Sequence, residues 1–242
     1  MLEAKDLYIR SFFIRKEIPE DNYLSDLDVV RALQKLPEFR FSSPLTIFVG
    51  ENGSGKSTLI EALALNIGLN AEGGSKHFNF ETDNTHSELY DYLKVEKSYY
   101  PPHDSFFLRA ESFYTMASYV DEIGSQRSVG GLSLHKQSHG ESFMALIENR
   151  FWGEGLYILD EPEAALSPAK TLELMVRIHD LVEQNSQFII ATHSPLLLAM
   201  TGAQLFKIES DSIYECSYEE TEHVQLMRQF LEDPERFQHY LY

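Results

Sequence analysis

The sequence predicts an α/β fold, a mostly parallel sheet with helices on both faces. Three observations carry this. Four short apolar runs, Leu45–Val49, Phe106–Ala110, Leu156–Asp160 and Gln187–Ala191, read as strands buried within a sheet. Segments with apolar residues at helical spacing stand between them, at Lys56–Ile67, Glu141–Arg150 and Ala169–Asn185. A length of 242 residues, 43% hydrophobic and 24% charged, suits one domain with a sizeable core and excludes wholesale disorder.

Taken in order, Leu7–Ile14 and Phe39–Phe41 are aromatic-rich and β-prone, and the acidic stretch Glu17–Asp28 between them reads as an exposed loop. Leu45–Val49 runs into Gly50, a Gly-rich turn, and then the helix from Lys56. Asn70–His86 is polar and reads as a loop, and Gly124–His139, rich in Gly, Ser and His, as a second one. After the strand Gln187–Ala191, Ala203–Ile208 and Ser212–Cys216 predict a hairpin turning at Glu209-Ser210-Asp211. The acidic end from Glu219 to Tyr242 reads as helical with a break before Pro234.

Composition narrows the function classes. One cysteine, Cys216, rules out an internal disulfide and multi-cysteine zinc sites. The N-terminus carries acids without an apolar run, and no ~18-residue apolar stretch occurs, so a signal peptide and membrane insertion are not expected. A cytoplasmic location is expected. With 20 basic against 38 acidic side chains the net charge is −18, which disfavours a general nucleic-acid coat but permits a local basic groove.

Four constellations carry chemistry. Gly50-Glu-Asn52-Gly53-Ser54-Gly55-Lys56-Ser57 fits G-x-x-x-x-G-K-[ST], followed by Thr58. Glycines let successive N–H groups face a phosphate, and the helix N-terminus adds its positive end. Lys56 reaches the outer phosphates and Ser57 can ligate Mg2+. Average composition gives a chance match on the order of once in a hundred chains this long. Second, Asp160 and Glu161 end an apolar strand, where ligand crevices form in open α/β sheets. Alone they read best as the solvated acids of an ordinary strand end. Behind a phosphate loop, Asp160 suits Mg2+ and Glu161 a water in line with the γ-phosphate. Third, His193 ends the next strand. A lone histidine there is usually a capped surface residue, but beside the acidic strand it could reach the γ-phosphate. Fourth, Ser138-His-Gly140-Glu141 precedes an apolar helix. This is a capping box on local grounds, yet Gly140 stands 20 residues before Asp160.

That ordered set, spanning Gly50 to Ser194, resembles an ABC-type ATPase of the SMC/RecF/RecN-like group, a head without coiled-coil arms often labelled simply an AAA family ATPase. GENGSGKST resembles its Walker A, Ser138–Ser142 its signature, Tyr157–Glu161 its Walker B with catalytic Glu161, Ala164–Ser167 its D-loop and His193 its switch histidine. The resemblance implies a P-loop NTPase fold. It would be a single ABC-ATPase domain over 1–242, with a mostly parallel sheet, an N-terminal antiparallel β portion and a helical signature subdomain at roughly 70–150. It implies ATP and Mg2+ as cofactors and hydrolysis to ADP and phosphate, with Lys56, Glu161 and His193 as catalytic residues. Asn52, Gly53, Ser54, Gly55, Lys56, Ser57 and Thr58 would hold nucleotide, and Ser57 and Asp160 the metal. It also implies a homodimer joined head to tail through nucleotide, in which Ser138, Gly140 and Glu141 touch the γ-phosphate of the partner's ATP.

The departures are His139 for the first signature glycine, Gln137 for its leading leucine and Ser167 for the D-loop acid. Only Glu111 stands near the expected Q-loop glutamine. Two further readings stay open: the nucleotide-binding subunit of an ABC transporter, and a nucleotide-sensing partner of a separate effector. Effector protein or DNA are the macromolecular partners expected, in DNA maintenance or a defence system.

Overall fold

A computed structural model of the chain describes residues 1–71, 73–74, 87–113 and 139–242. Six strands form the main sheet in the order β5-β6-β7-β3-β8-β9. These are β3 (Leu45–Gly50), β5 (Asp104–Arg109), β6 (Gly155–Asp160), β7 (Gln187–Ala191), β8 (Gln204–Glu209) and β9 (Ser212–Cys216). All neighbours pair in parallel except β8 and β9, which form the expected antiparallel hairpin. The fold is therefore α/β with a mostly parallel sheet.

The apolar runs are unbroken because both faces of these strands are covered. Ile47, Val49, Leu159 and Ile190 face one core with Phe143 of α4 (His139–Arg150) and Leu174 of α5 (Pro168–Glu183). Phe48, Ile158 and Ile189 face the other with Val30 of α1 (Asp28–Lys35) and Leu63 of α2 (Lys56–Asn66). Alternate residues point to two buried layers, so β3, β6 and β7 are buried along their whole length and are mostly apolar, with Thr46, Asp160 and Gln187 as their buried polar positions.

A second, antiparallel sheet runs β2-β1-β4, from β1 (Ile9–Ile14), β2 (Phe39–Arg40) and β4 (Leu93–Lys97). This is the expected N-terminal β portion. A side chain joins it to the main sheet. Gln187 of β7 accepts from the Ile9 backbone N–H through Oε1 at 2.9 Å and donates to Ile9 O through Nε2 at 3.0 Å. The amide thus stands in for a strand neighbour at a fully buried position, where unpaired backbone groups would be costly.

The structure departs from expectation in the stretch Glu17–Asp28. Ile18 and Leu24 are buried, and a 3-10 turn over Tyr23–Asp26 leads into α1. The acids face outward while the apolar residues plug the core, so acidic composition hid a packed connection. β4 follows α3 (Leu89–Tyr92), and it lies with β5 inside the interval 70–150 expected to be helical. Most of Asn70–His86, and Gly124–Ser138 of the second expected loop, lie outside the described residues. Beyond α6 (Pro195–Leu198) and the hairpin, the C-terminal helix breaks as expected. Asp233 ends α7 (Glu222–Glu232) and accepts from the Arg236 N–H at 3.0 Å to cap α8 (Pro234–Leu241). No described helix is long and apolar enough to cross a membrane.

Candidate functional site

The C-terminal ends of four parallel strands converge: β3 carries the Gly-rich loop, β5 Arg109, β6 Asp160 and Glu161, and β7 leads to His193. Gly53 and Gly55 have φ of +84° and +90°, curling the loop back on itself. A Cβ at Gly55 would lie 2.6 Å from Val29 Cγ1, so α1 presses against the loop and leaves room only for hydrogen. Ser54 Oγ is buried with no hydrogen-bond partner among the described residues. Lys56 is 4% exposed, and its Nζ donates to Gly50 O at 2.9 Å and Glu51 O at 2.8 Å. Burial pushes the Lys56 pKa down, against the opposing charges of Glu161, Asp160 and Glu163.

Ser57 Oγ donates to Asp160 Oδ1 at 2.9 Å, joining the loop to β6. The other carboxylate oxygen, Oδ2, accepts from Arg109 Nε at 3.1 Å, and the same guanidinium meets Glu61 Oε2 at 2.8 Å. Glu61 on α2 also accepts from the Ser87 N–H at 2.7 Å. Arg109 and Asp160 are directly opposite in the β5–β6 register, so the arginine is built to face the acid. Burial raises the Asp160 pKa, while Arg109 and Ser57 counter it. The fold thus supplies Asp160 with a guanidinium of its own.

Glu161 sits at φ 47° and ψ 50°, a left-handed conformation unfavourable for a residue with a side chain. Its N–H donates to Ala191 O at 2.9 Å, which pins the turn onto β7. The carboxylate Oε1 lies 3.6 Å from His193 Nε2. Burial, then the charges of Asp160 and Glu163, push its pKa up. Glu163 holds the loop after β7, where its Oε1 accepts from Thr192 Oγ1 at 2.5 Å, His193 N–H at 2.9 Å and Ser194 N–H at 3.1 Å. His193 is pushed down to about 4, by burial first and then by Lys56 and His223, so its ring is neutral near pH 7.

The structure thus brings together Lys56, Ser57, Asp160, Glu161 and His193, with Asn52–Gly55 and Thr58 on the same loop and helix start. Gly140 and Glu141 stand at the start of α4 beside the segment after Glu161. Gly140 lies against Ala165 O and Lys170, and Glu141 acts electrostatically on Lys170. Ser138 lies outside the described residues. Ser167 caps α5, accepting from the Lys170 N–H at 3.4 Å. Sequence reasoning missed Arg109, Glu61, Glu163 and His223. Only Arg109 left a signal, as a charge at the end of an apolar strand.

The donor set fits a magnesium nucleotide. A serine hydroxyl and a carboxylate are oxygen ligands of the kind Mg2+ takes, and the orphaned Ser54 hydroxyl belongs to a loop whose backbone is curled for phosphate. An AAA domain model matches residues 27–115, and a model described as "AAA domain, putative AbiEii toxin, Type IV TA system" matches residues 125–199. Both matches are to AAA domains, and the first contains the phosphate loop. ABC transporter G family member 22 of Arabidopsis thaliana is 27% identical over 173 residues, 61% of this chain and 22% of that protein. The chain therefore spans under a quarter of that curated relative. Among solved structures, MJ1267, an ATP-binding cassette of an ABC transporter, is 18% identical over 99% of both chains, with a TM-score of 0.47. An inward-facing "putative metal-chelate type ABC transporter" is 16% identical over 75% of each, also at 0.47.

Proposed function

We propose that this P-loop domain hydrolyses ATP to ADP and phosphate as a head-to-tail homodimer of the SMC/RecF-like type, serving DNA maintenance or a defence system. The observation that carries the reading is the meeting of Glu161 and His193 beside the Ser57–Asp160 pair, at the mouth of a phosphate loop. Lys56 trades its two backbone carbonyls for phosphate oxygens. The loop N–H groups of Asn52–Thr58 orient the phosphates and hold them still. Glu161, its carboxyl pushed up by burial, accepts a proton from the attacking water. His193, neutral, donates to the γ-phosphate. Ser57 and Asp160 would hold Mg2+, which supplies charge neutralisation on the phosphate oxygens.

In this reading the chain is one ATPase domain. The α4 N-terminus, with Ser138, Gly140 and Glu141, serves the partner subunit's nucleotide rather than its own. DNA or an effector protein is the proposed partner, and the cytoplasm the proposed location.

A second reading, the nucleotide-binding subunit of an ABC transporter, is favoured by the Arabidopsis relative. Identifying what copurifies with the chain separates the two: a membrane subunit supports the transporter.

The test of hydrolysis is Glu161→Gln. ATP binding should survive while turnover falls on the order of a hundredfold or more, and the variant should elute as a dimer with ATP and Mg2+. Turnover at the wild-type rate removes Glu161 from the base role.

A further inference from the structure

A second histidine reaches the site from a part of the chain that the nucleotide motifs do not touch. His223, the second residue of α7, stacks at an angle on His193, with ring centroids 4.7 Å apart and 59° between planes. Its Nε2 lies 3.1 Å from His193 Nδ1. Two bare lone pairs at that distance would repel, so one proton lies between the nitrogens.

The far side of His193 decides which ring owns that proton. Its Nε2 is buried, has no hydrogen-bond partner among the described residues, and lies 3.6 Å from Glu161 Oε1. A lone pair there would face a carboxylate, whereas an N–H is attracted to it. The His193 ring is neutral and holds one proton, so that proton sits on Nε2 and Nδ1 accepts.

Resting on the hydrolysis reading above, we propose that His223 is a positioning residue: its Nε2–H donates to His193 Nδ1 and locks the tautomer whose Nε2–H faces Glu161 and the γ-phosphate site. The mount is specific. Val224, next in the helix, is buried in the core. Thr221 is buried and donates to Tyr218 O at 2.8 Å, and Glu222 pairs with Lys207 at 3.2 Å. These contacts fix the first turn of α7, and so make the C-terminal segment part of the site.

The experiment has two readouts on the full chain. The first is nitrogen NMR of the imidazoles without nucleotide, with His193 assigned through His193→Gln. The wild type should show His193 protonated at Nε2, and His223→Ala should mix the tautomers. A wild-type His193 protonated at Nδ1 overturns the proposal. The second is ATP turnover. His223→Ala should lower kcat on the order of tenfold with KM changed by less than about twofold. His223→Gln, whose amide N–H can donate at similar reach, should recover most of the rate. Wild-type kcat in His223→Ala, or a Gln variant no better than Ala, overturns the donor role. Absence of turnover in the wild type sinks the hydrolysis reading and the catalytic half of this one, while the nitrogen shifts still decide the pairing.

Discussion

Arg109 does at residue scale what the motifs alone do not foretell. It bridges Asp160 and Glu61, both almost wholly buried, and so neutralises two acids that desolvation would otherwise penalise. Arg109→Ala should cost roughly 3–5 kcal/mol, because it strands two buried carboxylates rather than one contact. Urea unfolding measures this, and a loss under about 1 kcal/mol would mean that water reaches both acids. His193 gives a pH signature. Its proton affinity is pushed down to about 4, whereas an unfolded histidine binds near pH 6.5. Between those values the unfolded chain holds more protons than the folded one, so the histidine's contribution to stability is intact above pH 6.5 and fades toward pH 4. Lys56 and His223 repel a proton there, while Glu161 attracts it. The fall in Tm from pH 7 to pH 5 should therefore be smaller in His193→Gln than in the wild type. Equal falls would show that the ring protonates freely in the fold.

Elements were legible in proportion to how many of their faces are buried. β3, β6 and β7 announce themselves because both sides are covered, so nearly all of their residues are apolar. β4 buries mainly Leu93 and pairs with β1 some eighty residues earlier, so neither its composition nor its neighbours marked it. The helix α1 was hidden behind acids that turn outward, yet it forms the wall against which the phosphate loop is set. That wall makes a prediction. Gly55→Ala must hold a left-handed φ of +90°, at about 1–2 kcal/mol, and also push a methyl to 2.6 Å from Val29 Cγ1. It should destabilise the fold by more than the backbone cost alone and abolish tight ATP binding. Adding Val29→Ala should return part of the stability, and a double-mutant cycle by urea unfolding reads this coupling. Additive losses would show that α1 does not brace the loop. The site followed the same rule. Lys56 and Ser57 open α2, and Asp160, Glu161 and His193 stand at or just past strand ends, so all five were readable one by one. Glu61, Glu163 and His223 matter only through partners 26 to 48 residues away, at Ser87, Thr192, His193 and Arg109, and no local pattern records such meetings.

The whole molecule carries a charge of −18, so two copies brought together carry 2 × (−18) = −36. In the proposed dimer, association works against this field. At 0.01 M ionic strength repulsion reaches ~30 Å, across most of a facing surface, whereas at 0.15 M it reaches only ~8 Å. Contacts to phosphate made inside the Lys56 loop are shielded from bulk ions and should weaken less over that range. The ATP-bound dimer of Glu161→Gln should therefore tighten as salt rises from about 0.01 to 0.15 M. Sedimentation with ATP and Mg2+ across the series reads the dimer fraction directly. A dimer that instead dissociates steadily as salt rises would show that complementary charges at the interface outweigh the net field. The variant Glu161→Gln with Ser138→Arg bounds the same argument from the other side. If Ser138 serves the partner subunit's nucleotide, the double variant should bind ATP but stay monomeric at every salt concentration. Dimerisation of that variant would leave the net field in place but remove Ser138 from the interface.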